Sequence, residues 1–282
     1  MKGDRRVLSA MSILSRGVLA LGLAGLMAVA VTGRAYAAMG QDKDVPRLVS
    51  FGGSCPNCDL SGRKLTGARF MGATFAGATL IGSDLRGASF VGSNFTGADL
   101  SRADLRGATM QGAIFLLANF SDATLEGLEA QGATFMNANF SRAKLDSAEM
   151  HGVNFSNVDA RGASFAGAEL LGANLSRSRF DKASFRGAEL QGANLAGSSF
   201  AGTDFKGAEL KHTFLAGVDL SGARNLTQDQ LDDACADTAT RLPAGLVAKA
   251  CRGRMIVLHA PRPPKPPIPP PTPRYWLGFA DR

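Results

Sequence analysis

"FRGAELQGANLAGSSFAGTDFKGAEL", residues 185–210, carries Phe or Leu at every fifth position with small residues between them. The register runs far beyond this stretch. Of the 33 multiples of five from Leu60 to Leu220, 31 are Leu, Phe or Met, and the exceptions are Ala130 and Ala160. Two positions before these centres, 21 of the 33 residues are Ala; two positions after, 23 are Gly. A period of five fits neither the roughly 3.6 residues of a helical turn nor the two-residue alternation of a strand, so amphipathic elements are excluded and a repeated turn remains.

A second period, of twenty, lies over the first. Phe75, Phe95, Phe115, Phe135 and Phe155 form one column, and Leu65, Leu85, Leu105, Leu125 and Leu145 form another. Like residues therefore stack on like.

The segments "ADLRGATM", "AEL" and "GANLAGSSF" resemble the pentapeptide-repeat family, and the resemblance covers residues 58–224. It implies an all-β solenoid: a right-handed quadrilateral β-helix with four five-residue units per coil. The 33 units make about eight coils, which at a strand spacing of about 4.8 Å rise roughly 40 Å. The central Leu or Phe is expected to fill the interior, with the Ala before it pointing inward where only a small side chain fits. At Leu128 with Ala130, and at Val158 with Ala160, large and small exchange places, as a tightly filled interior demands. Gly after the centre suits a corner that needs positive φ.

Five segments follow: a signal peptide over 1–37, an N-terminal cap over 38–57, the β-helix over 58–224, a helical C-terminal cap over 225–252 and a Pro-rich tail over 253–282. The exposed ends of a solenoid need covering. "LVSFGGSCPNC" is expected to cover one end, and "LTQDQLDDACADTATRLP" reads as a short α-helix. Thr227 and Gln230 form a capping box, Leu226, Leu231, Ala234 and Cys235 lie near one face, and Pro243 ends the segment.

The formal charge of +7 raises the question of nucleic acid. Its distribution answers it. Residues 1–37 carry five Lys/Arg and one acid, residues 226–282 eight and five, while 38–57 balance two against two and 58–225 sixteen against sixteen. The body is neutral, and no nucleic acid is expected as partner. Lys2, Arg5, Arg6 and Arg16 precede the apolar run "GVLALGLAGLMAVAVTG" and the sequence "RAYAA", the charged, apolar and small-residue regions of a secretory signal. Cleavage before Ala38 and delivery to the periplasm or outside the cell are expected, without stable membrane insertion afterwards. An uncleaved anchor wants about 20 apolar residues, and this run is shorter. Arg5 and Arg6 hint at the twin-arginine route, but their flanks favour the general one.

Four cysteines form two local pairs, Cys55 with Cys58 and Cys235 with Cys251. An oxidising compartment favours disulfides. The pairs sit in opposite caps, too far apart for bridged Cα atoms within about 7 Å, so bridging is expected within each cap. "CPNC" also has the form of a redox-active C-x-x-C. That chemistry wants a βαβ context and a helix N-terminus, and here the motif runs straight into the repeat. A structural clip and an unpaired buried couple are the other readings.

The tail segment "PRPPKPPIPPPTP", residues 261–273, holds nine of the twelve prolines and is expected to be extended and disordered. It leads to "RYWLGFADR", where Tyr275 and Trp276 make a candidate tether or adaptor motif.

Little in the sequence supports catalysis. His151, His212 and His259 have no partner at metal-ligand spacing, and no nucleophile set, phosphate loop or nucleotide fingerprint stands out. No cofactor and no metal are expected. Outward columns say more: Glu129, Glu149, Glu169, Glu189 and Glu209 should stack with modest repulsion. Beside them the column Glu126, Asp146, Ala166, Arg186, Lys206 balances the upper end and leaves Glu126, Glu129, Asp146 and Glu149 as an acidic patch for a basic partner or loosely held Ca²⁺. Asn154, Asn174 and Asn194 form a ladder whose amides are placed to bond along the stack.

The leading expectation is a non-catalytic exported scaffold that meets an unidentified protein partner through flat faces and a Pro-rich arm. The resemblance offers another, since some pentapeptide-repeat proteins mimic DNA and protect type II topoisomerases from quinolones; a neutral, exported rod argues against it. An envelope thiol-disulfide enzyme using the C-x-x-C is the third. Some relatives dimerise end to end through a cap, but both ends here look covered, so a monomer is expected.

Overall fold

The computed structural model describes residues 54–251. Expectations for the signal segment 1–37, for most of the N-terminal cap and for the tail with Tyr275 and Trp276 fall outside these residues. Along the described chain, backbone bridges join each residue before a centre to the one twenty positions on, all parallel, from Asp59↔Thr79 to Asp204↔Arg224. Twenty residues therefore make one coil with four sides. The first side carries bridges at Lys64 through Arg224, the second at Arg69 through Glu209, the third at Thr74 through Phe214, and the fourth at Asp59 through Asp219.

A backbone hydrogen-bond account explains why five residues suffice. Around Phe95, Asn94 N–H donates down to Ala73 O (2.9 Å), while Phe95 N–H (2.7 Å) and Gly97 N–H (2.8 Å) donate up to Ile114 O and Leu116 O. Ala98 N–H closes the turn on Phe95 O at 3.0 Å. Only Thr96 N–H is left over, and the Asn94 side chain accepts it at 2.9 Å. The same bond recurs at Asp99–Ser101, Asn119–Ser121 and Asn174–Ser176. Asp or Asn before the centre thus satisfies the one donor that neither neighbouring coil can reach.

Centres from Leu60 to Leu220 are buried, as are the small residues two positions before them from Ala68 to Val218. The Phe column stacks ring on ring, with centroids 5.0 Å apart for Phe75–Phe95, 5.2 Å for Phe95–Phe115 and 5.3 Å for Phe115–Phe135. Adjacent sides meet edge to face, as in Phe70–Phe75 at 4.9 Å and 87°. Leu128, Ala130, Val158 and Ala160 are all buried, so the exchanged pairs hold their place in the interior. Every corner from Asn57 to Gly217 has positive φ, including eleven that are not glycine.

The C-terminal segment departs from the helix expected over 225–252. The helix, α1, is one turn, Gln228–Leu231. Gln230 Oε1 accepts from Thr227 N–H at 2.8 Å, and Gln230 Nε2 donates to Phe205 O (2.8 Å) and Ala208 O (2.7 Å) of the coil beneath. Beyond it the chain resumes coiling. Cys235 N–H donates to Thr213 O (3.0 Å) and Arg241 N–H to Val218 O (2.9 Å), while Leu215 and Leu220 N–H donate to Cys235 O and Arg241 O. The short strand β1, Cys235–Ala236, then pairs in parallel with β2, Lys249–Ala250. The helix stops because the last coil offers a row of unpaired donors and acceptors, and a segment with Asp232, Asp233, Thr238 and Thr240 gains more by pairing with that edge than by continuing a weak helix. Leu231 and Ala234 are buried, and Leu226, Leu242 and Leu246 pack half-buried against the core.

Candidate interaction surface

The chemistry-bearing residues divide among the sides of the solenoid. At its start, Cys55 occupies a centre and Cys58 the small inward position, with the corner at Asn57 (φ 56°) between them. The two form a disulfide with Cα atoms 5.5 Å apart, and both are buried. Cys235 and Cys251 form the other, at 4.8 Å between Cα atoms. Bridging is within each end, as the sequence led one to expect. The first pair closes a turn of the coil; the second clips β2 to β1.

On the second side the five glutamates stack as anticipated, with bridges Glu129↔Glu149, Glu149↔Glu169, Glu169↔Glu189 and Glu189↔Glu209. Their repulsion is relieved by donors that the sequence reading missed. Gln131 Nε2 lies 3.0 Å from Glu149 Oε2, His151 Nε2 lies 2.7 Å from Glu169 Oε2, and Gln191 donates to Glu209. The signal was present as a further period of twenty, Gln111, Gln131, His151, Gln191, broken by Leu171. Arg186 of the neighbouring column acts elsewhere, reaching Asp204 on the first side, Nη1 to Oδ2 3.3 Å.

At the lower end Glu129 and Glu149 are exposed and adjacent, with Glu126 and Asp146 in the corner column alongside. Asp146 is already engaged, accepting the Ser164 hydroxyl and, at 3.1 Å, Ala166 N–H. Arg106, one coil below Glu126, is held charged chiefly by its hydrogen bond to Asp104, with a smaller contribution from Glu126. Among the described residues no group of three or more His, Cys, Asp or Glu is placed to hold a metal ion, so the Ca²⁺ reading of this patch finds no ligand set.

The first side carries an ion-pair ladder. Arg86 reaches Asp84 at 2.7 Å and Asp104 at 3.7 Å, and Arg106 reaches Asp104 at 2.6 Å. On the fourth side Arg161 meets Asp159, and Arg142 forks onto Asp122 one coil below, at 2.6 and 2.7 Å. The guanidinium hydrogen bonds hold the Asp84, Asp104, Asp122 and Asp159 carboxyls below the usual carboxylate range. Asp204 is lowered chiefly by its hydrogen bond from Asn225.

Amide ladders occur on two sides. On the third, Asn174 Nδ2 reaches Asn154 Oδ1 at 3.4 Å. A tighter run, not anticipated, lies on the fourth, where Asn119 donates to Asp99 and Asn139 to Asn119, each at 3.1 Å. The interior hides another device in the column Val158, Ser178, Ser198. Ser178 Oγ accepts Val158 N–H (3.0 Å) and donates to Phe155 O (2.8 Å); Ser198 does the same for Ser178 N–H (2.9 Å) and Leu175 O (2.7 Å). A hydroxyl from the coil above thus takes the place of the usual turn-closing bond. Among the described residues no helix is long and apolar enough to cross a membrane.

A neutral, four-sided β-coil with paired surface charges and a closed interior defines a repeat solenoid. Pentapeptide-repeat models match residues 55–90, 80–115 and 118–157, and a pentapeptide repeat region model matches 138–215, so the chain belongs to the pentapeptide-repeat family, whose members form right-handed quadrilateral β-helices. It is similar to HetL of the cyanobacterium Nostoc sp., a protein involved in heterocyst differentiation regulation, at 24% identity over 73% of this chain and 98% of that one, TM-score 0.33. It is similar to a trypsin-treated form of QnrB1, a plasmid-mediated fluoroquinolone resistance protein, at 21% identity over 66% and 91%, TM-score 0.47. A pentapeptide repeat protein of the Arabidopsis thaliana thylakoid lumen matches at 25% identity over 51% and 70%, TM-score 0.22. Among curated proteins none matches.

Proposed function

We propose that this chain is a non-catalytic scaffold, exported to the periplasm or beyond, that acts as a monomer and presents solenoid faces and a Pro-rich arm to a protein partner. One observation carries the reading. Outward side chains stand in straight columns, one per rung at about 4.8 Å, on a backbone whose hydrogen bonds are used internally and over a core filled by Phe and Leu. Pentapeptide-repeat proteins are generally structural or interaction proteins, and repeat solenoids work through extended surfaces. On the second side, the patch of Glu126, Glu129, Asp146 and Glu149 offers a basic partner two exposed carboxylates. Replacing Glu129 and Glu149 with Gln is expected to weaken its capture.

Two other readings are weaker. A DNA mimic needs a strongly acidic rod, whereas residues 58–225 balance sixteen acids with sixteen Lys/Arg and the Glu column is interleaved with donors. A thiol-disulfide enzyme needs an accessible sulfur, whereas Cys55 and Cys58 are 7% and 1% exposed inside the first coil.

The test is crosslinking of the exported chain in its own compartment, with and without residues 261–282. Loss of crosslinks on deletion assigns recognition to the arm, and retention assigns it to the faces. Absence of any crosslinked protein in both forms refutes the scaffold reading, and an intact N-terminus on the recovered chain refutes export with cleavage before Ala38.

A further inference from the structure

The four sides differ in charge. Bridge positions on the first side include Lys64, Asp84, Asp104, Lys144, Asp204 and Arg224; the second has Arg69 and five glutamates; the fourth has Asp59, Asp99, Asp159, Arg179 and Asp219. The third reads Thr74, Asn94, Ile114, Thr134, Asn154, Asn174, Asn194, Phe214, without a charge. Of the five large apolar side chains exposed among the described residues, four gather on this side or its corners, and the fifth, Val247, lies in the C-terminal segment. Ile114 is 44% exposed at its bridge position, Leu117 60% exposed at the corner that follows, and Met71 (54%) and Leu171 (37%) stand at the corners before it. Leu116 and Met136, half-buried, extend the apolar patch around Ile114.

Leu117 breaks a local rule as well. Its φ of 60° is the left-handed conformation that Gly97 adopts in the coil beneath. A bulky side chain there carries backbone strain, and pointing into solvent it recovers nothing by packing within the coil. Other corners that take this conformation without glycine carry mostly polar side chains, so an apolar one beside exposed Ile114 marks a surface that something else covers.

The route of the chain says what. Third-side bridges continue from Phe214 to Cys235, and Cys235 pairs with Lys249. Cys251, clipped to Cys235 and donating to Ala236 O at 3.1 Å, therefore leaves from the top of this uncharged side. Seven rungs of about 4.8 Å, roughly 34 Å, separate Lys249 from Ile114. Residues 252–274 can span up to about 75 Å at roughly 3.3 Å each, more than enough to return down the face. They lead to Tyr275, Trp276, Leu277 and Phe279, a cluster of large apolar side chains with no acid or base among residues 275–280.

We infer that the third side is the dock for the chain's own segment 275–279, which lays its aromatic groups on the patch of Ile114, Leu116, Leu117 and Met136. This inference requires no external partner and stands or falls apart from the scaffold reading above.

Trp276 is the only Trp in the chain, so its emission from the full protein reports the dock directly. The expected result is a blue-shifted emission shielded from acrylamide and independent of protein concentration. Leu117→Gly with Ile114→Thr moves it to the position and quenching of an indole in water. Both substitutions install what other coils carry, Gly97 at the corner and Thr134 at the bridge, so folding is expected to survive and is checked by circular dichroism. A water-exposed indole in the unsubstituted protein overturns the inference, as does a shielded indole that ignores the double substitution. Shielding that disappears on dilution, with a dimer in sedimentation, also overturns it and assigns the face to a second copy.

Discussion

The corner residue sets the limits of this repeat. Gly97 has φ 67° and nothing within 4 Å of where a Cβ would stand, so Gly97→Ala isolates the backbone cost. It is expected to lower unfolding stability by about 1 kcal/mol or somewhat more, read from urea denaturation. The glycine at each corner was legible because its spacing is regular. The eleven other residues that take the same conformation, among them Arg102 and Leu117, were not, because an irregular side chain carries no mark of positive φ. Nor was the acceptor role of Asn94 or Asp99 legible. The orphaned N–H becomes identifiable only when both neighbouring coils have been placed. Likewise, Ser178 and Ser198 read as small core residues until their bonds to Phe155 O and Leu175 O are seen.

Among elements, the aromatic column and the C-terminal end behave oppositely. Phe115, buried and stacked between Phe95 and Phe135, has no room to be replaced, and Phe115→Ala is expected to cost about 3–5 kcal/mol in chemical denaturation. That column was fully legible, since a twenty-residue period of identical residues requires them to meet. The helical end was legible only at its start. Thr227 and Gln230 do begin a helix, but Gln230 also ties Phe205 O and Ala208 O of the last coil to it. Gln230→Glu keeps the acceptor and loses both donors, leaving those carbonyls facing a carboxylate. Faster amide exchange across residues 228–236 and a loss of about 1–3 kcal/mol are expected. The return to coiling at Cys235 is not legible from local propensity, which has no knowledge of an open edge next to it.

For the whole solenoid, acid is the natural stress. The Asp84, Asp104, Asp122, Asp159 and Asp204 carboxyls are lowered by their partners, so each binds protons less readily folded than unfolded. Their contribution is fully present above the unfolded value of about 4 and is lost as pH falls through the lower folded values. A melting temperature that is level near neutrality and declines below about pH 4 is expected, with a shallower decline in Asp84→Asn with Asp104→Asn. Reduction of the Cys235–Cys251 disulfide is expected to remove about 3 kcal/mol and to release β2 first, visible as loss of protection at Lys249 and Ala250. The four-sided coil, finally, fixes the grain in which such a gene can lengthen. A duplication of twenty codons would add one storey and leave every downstream group facing as before. One of five would turn everything above it by a quarter, putting Arg224 and Arg241 over the wrong neighbours and sending the exit strand from a different wall.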